Sequence, residues 1–439
     1  MDQEKKNEKL ATLVMDILYV HFHCGCIDEK EDITVSQSFI SDAFLYYILG
    51  KNSLIICDED RLDTFFEYKK AAINDNSVVF KLRRPLRSIS KSVGSILSII
   101  RSENKKPTEN KFIFTSSYSS DLTFKLYTEI AGQIDGEIYR CFPKPSLTGK
   151  SLDREFFSMR ISKTLCGKNK TFPVFASSQK ILRYLRTLPN HTLKKFVIKK
   201  VNSVGGEGVS ICCKDSLPLN NQDRIIIEKK IISSTSPSVH YLCHPKIDKL
   251  SRSGESFFLN QRIIVEQILD NKFKFIGFRN IERTKKNKLI IKSILEIEEK
   301  ILIERLRYGI YGPVGTDYII RKNRTCDTPV FIETNNRCTF TFGTFAFLNL
   351  ILTPESVRKL ISGDIILSSF LLKASSEIFT QNNIPYLSYV QVKKVKQLDI
   401  PKAPADILII QLYQSITDNI DHVVLIGGTF EQHDKILTL

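Results

Sequence analysis

Carboxylate, amide and guanidinium groups lie close together in two apolar segments of the sequence. GPVGTDYIIRK brings Asp317 into a predicted strand, and VFIETNNRCT carries Glu333, Asn335 and Arg337 at alternate positions. Alternate residues of a strand point to one face, so Asp317 would join the other three if the two strands are neighbours. Hard oxygen ligands of this kind suit Mg²⁺, which also keeps phosphate oxygens in its shell. The alternative is a structural salt bridge between Glu333 and Arg337 on an exposed sheet.

A glycine-rich loop follows another predicted strand. In FVIKKVNSVGGEGVSI the strand ends at Lys199, and the loop contains Gly205, Gly206 and Gly208. Glycines let backbone N–H groups approach a phosphate, and a lysine adds a point charge. Further along, the apolar strand in RIIIEKKI ends in Glu228, where main chain and carboxylate can meet adenine and ribose. For the glycine-rich loop alone, the alternative is the turn of a β-hairpin. For the strand that ends in Glu228, the alternative is an edge strand with a solvated end.

The order of these features resembles the ATP-grasp superfamily, and Glu-x-Asn-x-Arg is similar to its carboxylase and peptide-ligase branches. Over roughly residues 110–439 the chain also resembles the pheganomycin-type ATP-grasp peptide ligases. The segments that carry this narrower resemblance are EKKIISSTSPSVHYLCHP, NRCTFTFGTFAFLNLILTPES and ILIIQLYQSITDNIDHVVLIGGTFEQ.

The resemblance implies a binding site for ATP. Arg154 and Lys199 would hold its phosphates, with the adjacent Lys200 as the alternative to Lys199. The three glycines of the loop would form a flexible lid over the phosphates, and Glu228 would mark the adenine hinge.

The resemblance also implies a metal site and a reaction. Asp317, Glu333 and Asn335 would ligate Mg²⁺, or Mn²⁺ in its place, and Arg337 would act with Lys199 on the γ-phosphate and the attacked carboxylate. The implied activity is that of an ATP-dependent ligase forming a C–N bond. An amino acid or peptide carboxylate would be activated as an acyl phosphate and joined to an amine acceptor. An ATP-grasp kinase, a carboxylase and a non-catalytic nucleotide-binding protein are the alternatives.

No motif fixes the residues of the amine site. Arg279 and Arg283, on a predicted hairpin, are our hypotheses for it.

Strand and helix patterns support an ATP-grasp fold of mixed α/β and α+β character. Short apolar runs alternate with amphipathic helical segments in the first part of the chain, which indicates a mostly parallel sheet. Longer alternating strands follow, with a hairpin at 262–280 and a helix at 292–308 that Gly309 ends. In the tail, YVQVKKV and HVVLIGG are predicted strands, and DILIIQLYQSITDN is a predicted helix. The predicted units are an N-terminal α/β domain (1–145), an ATP-grasp core of two subdomains (146–375) and a small C-terminal α+β domain (376–439).

Composition narrows the possible partners and compartment. The net charge is +16, but the basic residues are scattered without interleaved aromatics, so we expect no nucleic-acid partner. A solvated basic surface is the simplest interpretation, and anionic ligands such as ATP are the alternative. No apolar stretch approaches the length of a membrane span. The first residues lack the basic region and the small-residue cleavage site of a signal peptide, so we expect a cytoplasmic protein. In a reducing compartment the ten cysteines, which have no framework spacing, are expected to be free thiols. Oligomeric state is open.

Two other motifs are set aside. PSLTGKSLD is preceded by Lys144, which occupies the position where a phosphate-binding P-loop needs its first glycine. HFHCGC has no second pair of ligands at the spacing of a zinc site.

Overall fold

The structure of the chain is a computed structural model. It describes residues 17–23, 48, 51–58, 77–82, 89–103, 110–116, 121–144, 161, 174–175, 179–200, 209–214, 225–231, 235–248, 261–271, 274–322, 327–394, 398–401, 406–414 and 420–438.

The N-terminal part is a five-stranded parallel sheet with the strand order β3-β2-β1-β4-β5. The parallel α/β arrangement predicted from the alternation is confirmed, and the sheet contains two strands that we did not predict, β1 at its centre and β5 at one edge. Every residue of β1 is buried, as expected for a central strand covered on both faces. The elements are β1 (Ile17–Phe22), β2 (Ser53–Asp58), β3 (Ser77–Leu82), α1 (Ile89–Glu103), β4 (Lys111–Ser116), α2 (Asp121–Ala131) and β5 (Glu137–Cys141).

A second, four-stranded sheet is antiparallel, with the order β6-β9-β7-β8. Its elements are β6 (Val174–Phe175), α3 (Gln179–Thr187), α4 (Asn190–Leu193), β7 (Phe196–Lys200), β8 (Val209–Ile211) and β9 (Ile225–Lys229). Ile198 and Ile227 pair across β7 and β9 and pack with Leu185 and Leu193 of the two helices. This small core fixes which face of β7 turns towards the helices and which face turns away from them.

The third sheet has eight antiparallel strands in the order β14-β13-β10-β11-β12-β15-β17-β16. The predicted hairpin is confirmed as β11 and β12, and Gly309 follows the long helix α5 in the left-handed conformation expected of a helix stop. The elements are β10 (Pro237–Cys243), β11 (Ile263–Leu269), β12 (Phe275–Asn280), α5 (Lys285–Arg307), β13 (Gly312–Arg321), β14 (Thr328–Asn335), α6 (Phe340–Ile351), α7 (Pro354–Ser362), β15 (Leu367–Lys373), α8 (Ser375–Gln381), α9 (Tyr389–Lys394), β16 (Ile407–Gln414), β17 (Ile420–Gly427) and α10 (Phe430–Leu437).

One apolar core joins the parallel sheet to the eight-stranded sheet. Ile17 and Ile113 of the first belong to the same buried cluster as Phe278 of β12 and Phe345 of α6. The eight-stranded sheet also continues through β15 into β17 and β16, so its pairing runs across residue 376. The two boundaries between the three predicted domains stay predictions.

Two elements of the tail differ from the sequence prediction. YVQVKKV, predicted as a strand, contains α9, and DILIIQLYQSITDN, predicted as a helix, contains β16. Short apolar runs fit both periodicities, and β16 gains a full antiparallel ladder with β17 that an isolated pattern does not reveal. None of the helices described is long and apolar enough to cross a membrane.

Candidate active site

Asp317 and Glu333 lie directly opposite each other on β13 and β14. The two strands are antiparallel neighbours, as the metal-site prediction required, and Gly315 lies opposite Asn335 two positions along. The register shifts between Asp317 and Tyr318, and pairing then continues from Tyr318 opposite Phe331. Directly opposed residues of an antiparallel pair share a face of the sheet. Two carboxylates and an amide therefore converge at this end of the strand pair.

Three side chains donate hydrogen bonds to the carboxylate of Asp317, which is 9% exposed. Ser238 of β10 donates to Oδ1 at 2.6 Å, and Gln267 of β11 donates to the same oxygen at 2.8 Å. Asn335 donates to Oδ2 at 3.0 Å. These donors stabilise the ionised form of Asp317 and fix the plane of its carboxylate.

Arg337 lies beyond the strand on which we had placed it. β14 ends at Asn335, and Arg337 belongs to the short connection before α6, because the chain must turn there to bring the helix onto the sheet. Its side chain still points back to the site. Nη2 lies 3.3 Å from Asn335 Oδ1, and Nη1 donates to the Cys338 carbonyl at 3.1 Å. The predicted group of four is therefore assembled by this turn as well as by strand alternation.

Behind the site lies a buried histidine that the sequence analysis did not single out for this role. His240 is 3% exposed; its Nε2 lies 2.8 Å from Ser238 Oγ and its Nδ1 lies 2.8 Å from Thr339 Oγ1. Burial, and secondarily the nearby Arg305, lower the pKa of His240 to about 3, so the ring is neutral at physiological pH. Thr339 also accepts a hydrogen bond from the Phe342 amide, which caps α6.

A buried ion pair supports both strands that carry the predicted metal ligands. Arg305 of α5 is fully buried, and it donates to the Gly315 carbonyl at 2.6 Å and to Asn336 Oδ1 at 3.2 Å. Its Nη1 donates to Tyr241 Oη at 2.7 Å and lies 3.6 Å from the carboxylate of Glu298, which is also fully buried. Because Gly315 and Asn336 adjoin the site residues, this guanidinium holds β13 and β14 at the positions where those residues project.

In the four-stranded sheet, the predicted phosphate lysine and the predicted hinge glutamate are in contact. Lys199 Nζ lies 2.7 Å from Glu228 Oε2, and both side chains are largely buried. Glu228 pairs with Val197, two residues before Lys199, so Lys199 and Glu228 share the face opposite to Ile198 and the helices. The two residues are thus brought together on the side away from the small core.

Comparison with known proteins agrees with this arrangement. Residues 164–341, which contain Lys199, Glu228, Asp317, Glu333 and Asn335, match the model of the ATP-grasp domain family. The chain contains an ATP-grasp domain. No curated protein matches the chain at a significant level.

Three solved structures of synthetases or synthases are similar to nearly the whole chain. One is N5-carboxyaminoimidazole synthetase from Staphylococcus aureus in complex with ADP, at 11% identity and a TM-score of 0.53 over 96% of each chain. Another is carboxyaminoimidazole ribonucleotide synthase from Aspergillus clavatus in complex with ATP, at 10% identity and a TM-score of 0.55 over 96% of this chain and 97% of that one. The third is N5-carboxyaminoimidazole ribonucleotide synthetase from Thermus thermophilus, at 10% identity and a TM-score of 0.51 over 95% of this chain and 96% of that one.

At such low identities these structural similarities show a shared fold and nothing finer. The ATP-grasp fold with its N-terminal α/β part is therefore confirmed. The narrower resemblance to pheganomycin-type ligases stays a prediction, as do the roles of the individual site residues. Four of those residues lie outside the described part of the chain, namely Arg154, Gly205, Gly206 and Gly208.

The two arginines suggested for the amine site are separate from the metal-site residues of the ATP-grasp domain. Arg279 pairs with Glu266 at 3.1 Å, whereas the next residue of β11, Gln267, bonds to Asp317; Arg279 therefore projects from the opposite face of the sheet. Arg283 forms an ion pair with Asp364 at 2.9 Å. Both guanidiniums are engaged by carboxylates, and their role in amine binding stays a hypothesis.

The described thiols and histidines show no metal cluster. Six cysteines in the described segments are free thiols, as predicted. His21 hydrogen-bonds Thr115 at 2.8 Å, and its pKa is well below the usual value because it is buried and lies near His23. Among the described residues there is no group of three or more His, Cys, Asp or Glu residues that could hold a metal ion. Cys24 and Cys26 lie outside those residues.

Proposed function

We propose that this protein is an ATP- and Mg²⁺-dependent carboxylate–amine ligase that forms an amide bond. The observation that carries the proposal is the convergence of Asp317, Glu333, Asn335 and Arg337 on one end of the β13–β14 pair, within an ATP-grasp domain. A purely structural salt bridge between Glu333 and Arg337 does not explain why a nearly buried carboxylate, Asp317, lies opposite a second one.

The residues present fit a divalent cation. Asp317, Glu333 and Asn335 would hold Mg²⁺, because two carboxylates and an amide supply the hard oxygen atoms that this ion prefers. The bound ion would neutralise charge on the transferring phosphoryl group. Arg337, hydrogen-bonded to Asn335, supplies a cation at the edge of the same site. It would orient the γ-phosphate and the attacking carboxylate.

Lys199 and Glu228 would bind the nucleotide on the four-stranded sheet. Their ion pair holds the ammonium in place and neutralises it, so ATP binding would exchange the Glu228 partner for a phosphate oxygen. Glu228 would then be available to the adenine and ribose. Arg154 and the glycine-rich loop are assigned to the phosphates by resemblance alone.

The chemistry follows from these groups. A substrate carboxylate attacks the γ-phosphorus of ATP, ADP leaves, and the resulting acyl phosphate has a good leaving group. An amine then attacks the acyl carbon, which gives an amide and inorganic phosphate. We propose amino acids or peptides as the substrates, because the sequence resembles peptide ligases. Exclusion of water by the loop would protect the acyl phosphate from hydrolysis.

The test is release of ADP and phosphate with Mg-ATP and pools of amino acids and short peptides, with mass spectrometry of the products. A product mass equal to acid plus amine minus water establishes ligation. A phosphorylated substrate indicates a kinase, and a requirement for bicarbonate indicates a carboxylase. ATP binding without ADP release points to a substrate outside the pools or to a non-catalytic protein, and failure to bind ATP overturns the proposal.

Two variants separate the site from general effects on the fold. Glu333→Gln removes one charged oxygen ligand and keeps the side-chain size, so turnover should be lost while the thermal midpoint stays close to that of the wild type. Glu431→Gln is the matched control, since Glu431 is an exposed residue of α10 that pairs only with Lys435 in the described ion pairs. Equal turnover in both variants would contradict the assignment of the site.

A further inference from the structure

The hydrogen bonds behind Asp317 have only one consistent direction. An ionised carboxylate accepts and cannot donate, so Ser238 must give its single hydroxyl proton to Asp317 Oδ1 at 2.6 Å. Ser238 must therefore accept from His240 Nε2, which lies 2.8 Å away. The ring then carries its proton on Nε2, and Nδ1 accepts from the hydroxyl of Thr339. The Thr339 oxygen in turn accepts from the amide of Phe342.

We propose that His240 is a positioning residue for the metal site, which holds Ser238 in the orientation that donates to Asp317. This inference rests on the proposed function only in taking Asp317 as a ligand of the divalent cation. His240 does not touch the metal ligands directly in this assignment. It acts through Ser238, and Thr339 sets its tautomer from the start of α6.

The geometry gives His240 a role that a space-filling residue could not perform. Ser238, His240 and Thr339 are all buried, so water does not offer a substitute donor if the ring is removed. The backbone also makes room for the ring: a Cβ on Gly315 would lie 2.9 Å from His240 Nδ1 and 2.8 Å from Thr339 Cγ2. Residues that orient metal ligands from behind typically change metal affinity or activity by about 10–100-fold when they are mutated.

The test compares two substitutions by direct Mn²⁺ binding in the presence of ADP, without turnover. Electron paramagnetic resonance of free Mn²⁺ gives the dissociation constant. His240→Phe removes the donor to Ser238 and should weaken Mn²⁺ binding by about tenfold. His240→Gln keeps an N–H donor of similar reach and should retain affinity close to that of the wild type.

A second histidine supplies the control for damage to the fold. His433 of α10 is also buried, and it bonds Ser368 at 2.8 Å and the Gly427 carbonyl at 2.8 Å, on elements that carry no metal-site residue. His433→Phe should lower the urea midpoint but leave the Mn²⁺ dissociation constant unchanged. If His433→Phe weakens Mn²⁺ binding as much as His240→Phe does, the effect is general and the proposal fails.

A double-mutant cycle shows whether His240 acts through Ser238. Ser238→Ala alone should weaken Mn²⁺ binding, and adding His240→Phe to it should cause little further loss, because the intermediary is already absent. Fully additive losses would overturn the proposed relay, and so would wild-type affinity in His240→Phe. If the wild-type protein itself binds no Mn²⁺ with ADP, the proposed function fails first, and that result is distinct from these two.

Discussion

Replacing Arg305 by Met should destabilise the protein strongly. The guanidinium is fully buried, and Met keeps the unbranched stem as far as the ε position without the charge or the donors. The substitution leaves the Glu298 carboxylate buried 3.6 Å from where its partner was. It also removes the donor to the Gly315 carbonyl, so the backbone beside Asp317 loses its anchor.

The expected loss follows from the uncompensated charge. Removing one partner of a buried ion pair typically costs about 3–5 kcal/mol, because the remaining charge is buried without a counter-charge or water to stabilise it. The Gly315 carbonyl, the Asn336 amide oxygen and the Tyr241 hydroxyl each lose a hydrogen bond, at about 1–3 kcal/mol for a group left unsatisfied. These losses overlap and are not additive. We therefore expect the free energy of unfolding to fall by about 3–5 kcal/mol.

The assay is urea unfolding followed by far-ultraviolet circular dichroism. Arg307→Met is the matched control on the same helix, since that side chain is 58% exposed and pairs with Glu304 on the surface; surface pairs contribute about 0–1 kcal/mol. The double substitution Arg305→Met with Glu298→Leu should recover much of the loss, because it removes the stranded charge. A loss of less than about 1 kcal/mol for Arg305→Met, or no recovery in the double variant, would refute the reasoning.

Three further predictions concern the contact between β13 and β5, the pocket that holds His240, and the dependence of stability on pH. Gly312 has a φ of +102°, and a Cβ there would lie 2.3 Å from the Cys141 carbonyl oxygen, so Gly312→Ala should lower the melting temperature; an unchanged value would contradict the observed contact between β13 and β5. Gly315→Ala should weaken Mn²⁺ binding in the paramagnetic resonance assay, because its methyl group displaces His240; unchanged affinity would show that the pocket can expand. Burial lowers the pKa values of His240 and His422 to about 3, and the charge of Arg305 adds to this effect at His240. The unfolded chain therefore binds more protons below about pH 6.5, and stability should fall towards pH 4 by up to about 2.7 kcal/mol per pH unit for the pair, as urea midpoints at pH 7, 5.5 and 4.5 would show.

Most of the elements that carry the candidate site were predictable from local patterns. Alternation identified the strands that contain Lys199, Glu228 and Asp317, because a half-buried strand places apolar residues at every second position. A metal-binding role for Asp317, Glu333 and Asn335 was also predicted, since carboxylate and amide oxygens suit a hard cation, and that role stays a prediction. Where a run was short and uniformly apolar, as in the tail, local pattern failed and the sheet partner decided between helix and strand.

The amino-acid sequence by itself indicated the ATP-grasp fold and a candidate ligand set, because the types, order and spacing of a few residues resemble that superfamily. Only the tertiary structure decided what holds that set in place. Ser238, Gln267, His240 and Arg305 reach Asp317 or its neighbours from other elements of the chain, through β-ladders and a packed helix. These contacts depend on the pairing register and on burial, which the whole sheet determines. They cannot be predicted from the spacing of residues along the chain.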